Sequence, residues 1–211
     1  SYKESIGMGL YYKSTRNSNL KVTASEAILK GLAPDGGLFV PEKLPVLGKS
    51  MEELKDLNYQ DTAYEVMKCF LTDFTEEELR NCIEKAYDSK FDDEAIAPLV
   101  KVEDTYYLEL FHGATIAFKD MALSILPHLM TTSAKKNQVK NEIVILTATS
   151  GDTGKAAMAG FADVEGTRII VFSHQQTPSI SDVLYHRPLI MYMHIQNCLQ
   201  MERLKTARRL M

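Results

Sequence analysis

The sequence predicts an α/β fold with a helical N-terminal part, and three observations carry the prediction. Ile143 to Leu146 is an unbroken apolar run that ends in the glycine-punctuated turn Thr149-Ser150-Gly151-Asp152-Thr153-Gly154. An alanine-rich helix (Lys155 to Phe161) and a second apolar run (Thr167 to Phe172) follow, and together these make a β-loop-α-β unit with parallel strands. Upstream, Tyr106 to Leu110 reads as a buried strand that breaks at His112-Gly113-Ala114 before an apolar helix from Ala117. Earlier still, residues 51–86 carry apolar residues at helical spacing. These features divide the chain into 1–100, 101–172 and a tail, 173–211.

The elements follow in order. Leu10 to Ser14 predicts a strand, and Thr23 with Glu26 forms a capping box opening a helix to Lys30, stopped by Gly31. Pro34-Asp35-Gly36-Gly37 is a tight turn into a strand from Leu38 to Val40. Helices are expected over Met51–Leu57, Tyr59–Leu71 and Thr75–Ala86, the last with a Thr75/Glu78 capping box. Their charges read as solvated faces. Pro98-Leu99-Val100 is extended, and Thr131 to Lys140 reads as a polar loop. The apolar run Ile143 to Leu146 predicts a strand covered on both faces.

Composition narrows the function classes. A net charge of −4 and 45% hydrophobic residues give no electrostatic case for nucleic acid and enough apolar material for a sizeable core. No apolar run approaches the ~20 residues of a membrane span, and no secretory leader is recognisable before Met8. Cys69, Cys82 and Cys198 show no CxxC pattern and no histidine at ligand spacing, which suits core packing in a reducing cytoplasm rather than metal binding.

Two stretches carry chemistry. Lys119 falls in the first turn of the predicted helix, where the helix dipole and loss of water both favour a neutral, nucleophilic amine. The plain alternative is a surface lysine lying past Phe118. The Thr149–Gly154 turn combines a strand end, glycines and a helix start, an arrangement that offers backbone N–H groups to an anion. It matches neither GxxxxGK[ST] nor GxGxxG, and an ordinary turn capped by Ser150, Asp152 or Thr153 is the alternative.

Taken together, His112-Gly113-Ala114-Thr115-Ile116-Ala117-Phe118-Lys119-Asp120 and Ala148-Thr149-Ser150-Gly151-Asp152-Thr153-Gly154 closely resemble the threonine synthase family. Tyr12-Lys13-Ser14-Thr15-Arg16 resembles that family's opening Y-x-S-T-R, and Ala33 to Pro41 its A-P-D-G-G segment. The resemblance spans Tyr11 to about Phe172, in the family's order, and these two openings disfavour a serine/threonine dehydratase. It implies the N-terminal helical subdomain followed by part of a tryptophan-synthase-β-like, fold-type II sheet with three α/β/α layers. It further implies pyridoxal 5'-phosphate held as a Schiff base on Lys119, with Phe118 and Asp152 beside the cofactor. Thr149, Ser150, Gly151, Thr153, Gly154 and His112 would then meet the substrate, O-phospho-L-homoserine, on its way to L-threonine and phosphate. The family carries Asn where this chain has Asp152. Its glycine-rich loop for the cofactor phosphate and its partner for the pyridine nitrogen have no counterpart in these residues. The alternative is therefore a non-catalytic fragment that self-associates through exposed sheet edge and apolar surface.

Residues 173–211 depart from the resemblance. One reading is a divergent tail, with Leu199 to Met211 as a basic helix. The other is a shifted reading frame. Codons built across the junctions force Val at Met191-Tyr192, Ala at Met193-His194 and Gly at Met201-Glu202, in keeping with a family-like N-V-x-[VA] followed by a G-N-F-D-D-like run. The match is imperfect, because Asn is not recoverable at Glu202-Arg203.

Overall fold

The computed structural model describes residues 9–17, 19–149 and 151–173. Ser150, Cys198 and both readings of the tail lie outside the described residues. Strand β1 (Tyr12–Ser14) is flanked by β2 (Lys21–Val22) and β3 (Phe39–Pro41), both antiparallel to it. Helix α1 (Ala24–Lys30) opens with the expected Thr23/Glu26 capping box and ends at Gly31, whose φ of 66° suits glycine. Helix α2 (Met51–Leu54) stops three residues short of the expected Leu57, and Ser50 with Glu53 gives it a capping box of its own. Helices α3 (Tyr59–Phe70) and α4 (Glu76–Ala86) fall where their periodicity places them, α4 behind the Thr75/Glu78 box.

The main core lies where α3 and α4 meet the following segments. Leu79, Cys82, Ile83 and Ala86 from α4 are buried with Phe74, Tyr87, Phe91, Ile96, Ile125 and Leu129. Tyr87 packs edge-on against Tyr59, with ring centroids 4.9 Å apart, and donates its hydroxyl to the Met121 carbonyl at 2.7 Å. This bond ties the helical part to the segment that bears Lys119.

Several expectations from the sequence need correction. The run Thr105–Leu108 is a strand, β5, but among the described residues it pairs only with β4 (Leu99–Val102) in an antiparallel hairpin exposed on both faces. Its aromatic residues reflect β propensity rather than burial, with Tyr106 60% and Tyr107 53% exposed. The apolar helix from Ala117 is two pieces, α5 (Asp120–Leu123) and α6 (Leu126–Lys136). Pro127 lacks an N–H and sits in the first turn of α6, which breaks the ladder there. Helix α6 then runs through most of the stretch expected as a polar loop. Its Lys136 ammonium bonds Glu78 at 2.8 Å and its Thr132 hydroxyl lies 3.4 Å from the Cys82 thiol, so tertiary contacts with α4 hold those polar residues helical.

Strands β6 (Ile143–Thr149) and β7 (Thr167–Ser173) pair in parallel, in register from Ile143 with Thr167 to Thr149 with Ser173. Helix α7 (Asp152–Phe161) connects them and opens three residues earlier than expected. Ala157, Met158 and Phe161 of α7 pack with Ile169 and Val171 of β7, and Leu123, Leu126 and Met130 close over the cluster. Val144 and Leu146 point the other way and are 50% and 44% exposed, so among the described residues β6 is covered on one face only. The mixed α/β class holds, with helices on one side of this parallel pair.

Candidate active site

The site is built on two loops carried by neighbouring elements. The first runs from Gly113 to Lys119. The Ile116 N–H donates to Gly113 C=O at 3.0 Å, and the Asp120 N–H to Ala117 C=O at 2.9 Å, closing two successive turns. Ile116 takes φ of 64°, a left-handed conformation unfavourable for a β-branched residue and held by the surrounding bonds.

Asp120, the first residue of α5, supplies the decisive bonds. Although only 3% exposed, its carboxylate reaches back to accept from the Thr115 N–H at 2.7 Å and the Thr115 hydroxyl at 2.6 Å. The helix N-terminus favours a carboxylate at that position. Gly113 is needed beside it, since a Cβ there would lie 2.5 Å from the Asp120 Cβ.

Lys119 precedes α5 as its N-cap residue and is half-buried, so the burial expected of it is only partial. Its Nζ lies 4.3 Å from the centroid of the exposed Phe118 ring, a cation–π contact. His112 stands at the other end of the loop, stacked on Phe111. Its Nδ1 lies 2.6 Å from Asp92 Oδ1 and its Nε2 2.8 Å from Glu109 Oε2. Those two carboxylates, Glu109 foremost, raise its pKa above the ordinary 6.5. Both ring nitrogens are thereby engaged, and the Asp92 N–H bonds the His112 carbonyl at 3.0 Å.

The second loop follows the carboxyl end of β6. Thr149 ends that strand, and Gly151, Asp152 and Thr153 are exposed while Gly154, in the first turn of α7, is buried. The N-cap residue of α7 is Gly151, which brings no side chain to the helix start, and a helix start following a strand is a place where backbone N–H groups can meet an anion. The position outside the carboxyl ends of parallel strands is where open α/β sheets bind ligands.

Helices α5 and α7, which bear the two loops, pack directly on one another. A Cβ on Gly160 would sit 2.2 Å from the Leu123 carbonyl oxygen, so this glycine permits the approach. Sequence reasoning singled out both loops but missed Asp120, Gly113 and Gly160 as their supports. The available signal was an acid opening a helix five residues after a threonine.

The two N-terminal motifs also meet. Ser14 Oγ donates to Asp35 Oδ1 at 2.7 Å and accepts from the Arg16 N–H at 3.1 Å, while Asp35 Oδ1 accepts from Gly37 N–H at 2.9 Å. The Ser14 hydroxyl and the Gly37 N–H hold the Asp35 carboxyl below its usual range.

Known proteins resemble this chain in sequence and in structure. A family profile described as threonine synthase N terminus matches residues 11–87. Threonine synthase of Methylobacillus glycogenes is 36% identical over 179 residues, covering 80% of this chain and 37% of that protein. That of Eremothecium gossypii is 37% identical over 192 residues, covering 83% of this chain and 37% of that protein. The crystal structure of PLP-bound threonine synthase from Brucella melitensis superposes with a TM-score of 0.72 at 32% identity, over 80% of this chain and 36% of that one. The chain thus spans little more than a third of the length of these relatives. On these matches it belongs to the threonine synthase family, corresponding to the N-terminal part of its members.

Proposed function

We propose that this chain carries the lysine and the carboxylate-binding turn of a pyridoxal 5'-phosphate-dependent threonine synthase, acting on O-phospho-L-homoserine and water to give L-threonine and phosphate. The observation that carries the reading is the packing of α5, which begins next to Lys119, on α7, which begins at the carboxyl end of β6. The residues present fit the cofactor in part: an amine beside an aromatic ring, and a glycine-headed helix start at the carboxyl end of a strand. When bound, the cofactor supplies an electron sink for a carbanion at the substrate Cα, which no side chain provides.

The chain's own residues take the remaining tasks. Lys119 Nζ would hold the cofactor and, once the substrate amine takes its place, the freed amine would carry the substrate's Cα proton. Phe118 and Asp152 would flank the cofactor. Backbone N–H groups of Gly151 to Gly154, with Thr149, Ser150 and Thr153, receive the substrate carboxylate. His112, with both nitrogens engaged by Asp92 and Glu109, serves the substrate by fixing the loop beneath it. The division at residue 100 into a helical subdomain and a catalytic part belongs to this proposal. So does a cytoplasmic setting, with which the free thiols Cys69 and Cys82 agree. Among the described residues no helix is long and apolar enough to cross a membrane. The test is phosphate and threonine release from O-phospho-L-homoserine with the cofactor added. Release that stops in Lys119→Ala supports the reading, and release unaffected by that change refutes it.

One observation favours a second reading. Val144, Leu146, Tyr106, Tyr107 and Leu108 leave apolar surface uncovered. On that reading the chain is a non-catalytic member that self-associates through this surface. Concentration-dependent sedimentation without phosphate release distinguishes it.

A further inference from the structure

We infer that Asp120 is the positioning residue for Lys119, setting where the amine stands by bonding Thr115 across the loop. The inference rests on the proposed role of Lys119 and concerns how that role is prepared. Lys119 lies inside a ring that Asp120 closes. Residues 115–120 are joined end to end by the peptide chain and by two hydrogen bonds from Thr115 to the Asp120 carboxylate.

Within that ring, the Asp120 N–H bonds the Ala117 carbonyl, and the Ala122 and Leu123 N–H groups bond the Lys119 carbonyl at 3.1 and 2.9 Å. Lys119 itself makes no side-chain cap, so its own side chain does not hold this geometry. Phe118 and Ile116 are 62% and 72% exposed and anchor little. What remains to fix the lysine backbone is the buried Asp120 carboxylate, with Gly113 pressed against it. Without those bonds, the left-handed Ile116 and the two turns flanking Ala117 have no side-chain hydrogen bond among the described residues to hold them.

The test uses the intact chain and pyridoxal phosphate. The protein is incubated with the cofactor across a range of pH and reduced with borohydride, and the fraction of adduct on Lys119 is mapped by peptide mass spectrometry. Circular dichroism reports the fold. Asp120→Ala is expected to lower Lys119 trapping by about tenfold and to alter its pH profile. Asp120→Asn, which can still accept from the Thr115 N–H while its amide faces the hydroxyl, is expected to restore most of it.

Trapping in a folded Asp120→Ala protein equal to the parent's overturns the inference, and so does an Asp120→Asn protein as poor as the alanine variant. If the alanine variant does not fold, Thr115→Val removes one of the two bonds. It should lower trapping several-fold, and no change there overturns the inference equally. Failure of the parent to label Lys119 selectively contradicts the proposed function instead, so the two failures are distinct.

Discussion

Asp120 holds Thr115 by two hydrogen bonds, one from its N–H at 2.7 Å and one from its hydroxyl at 2.6 Å, at a position almost closed to solvent. Gly113 is part of the same arrangement, since an added Cβ would also lie 2.6 Å from Asp120 Oδ2. Gly113→Ala therefore forces the carboxylate or the loop to move. It should destabilise the fold by about 1–3 kcal/mol, read as a lower urea midpoint at unchanged slope.

Gly160 meets a harder obstacle. Its added Cβ would lie 2.2 Å from the Leu123 carbonyl oxygen and 3.0 Å from the carbonyl carbon, both backbone atoms that no rotamer change can remove. Gly160→Ala should separate α5 from α7 and cost toward the upper end of ~1–3 kcal/mol. Hydrogen exchange should show faster opening of both helices, and an unchanged exchange pattern would contradict this packing.

His112 makes stability depend on pH. Its pKa is raised in the folded state by Glu109 and Asp92, so the folded protein binds the proton more tightly than the unfolded chain. The resulting stabilisation is complete below the ordinary value of 6.5 and is lost as pH rises through the higher folded value. His112→Gln should flatten the decline in the urea midpoint above neutrality. A midpoint with the same pH profile in both proteins would contradict the carboxylate clamp.

How much of this was legible in the sequence follows from the range of each interaction. The capping boxes at Thr23 and Thr75 are bonds between residues three apart, and the structure has both. The parallel pair around α7 was equally legible, because a strand, a glycine turn and an alanine-rich helix announce themselves locally. Burial was not. The hairpin holding Tyr106 and Tyr107 and the open face of β6 depend on what lies across the sheet, which residue type does not encode. The split between α5 and α6 could have been read from Pro127, but the helical persistence to Lys136 rests on contacts with Glu78 and Cys82, far away in the chain. At the site, the two loops carried their own signals, while the bonds that hold them required the fold.

The Ser14–Asp35 bond illustrates the same point between two sequence motifs and is open to test. Ser14 is 2% exposed and serves both Asp35 and the Arg16 N–H. Ser14→Ala leaves that N–H without its acceptor and should cost about 1 kcal/mol. It should also weaken the acid limb of the stability profile. Asp35 has a lowered folded-state pKa, and the stability linked to it is present above the unfolded value and lost as pH falls through the folded one. Equal acid limbs for the two proteins would show that Ser14 does not set the Asp35 pKa.

The most direct test of the central claim is to map where pyridoxal phosphate attaches. The unaltered chain is equilibrated with the cofactor, reduced with borohydride and digested, and each lysine is quantified by mass spectrometry. The account predicts a single dominant adduct on Lys119, diminished when O-phospho-L-homoserine is present. Adduct spread over the exposed lysines in proportion to their accessibility, with Lys119 no more labelled than the rest, would contradict it.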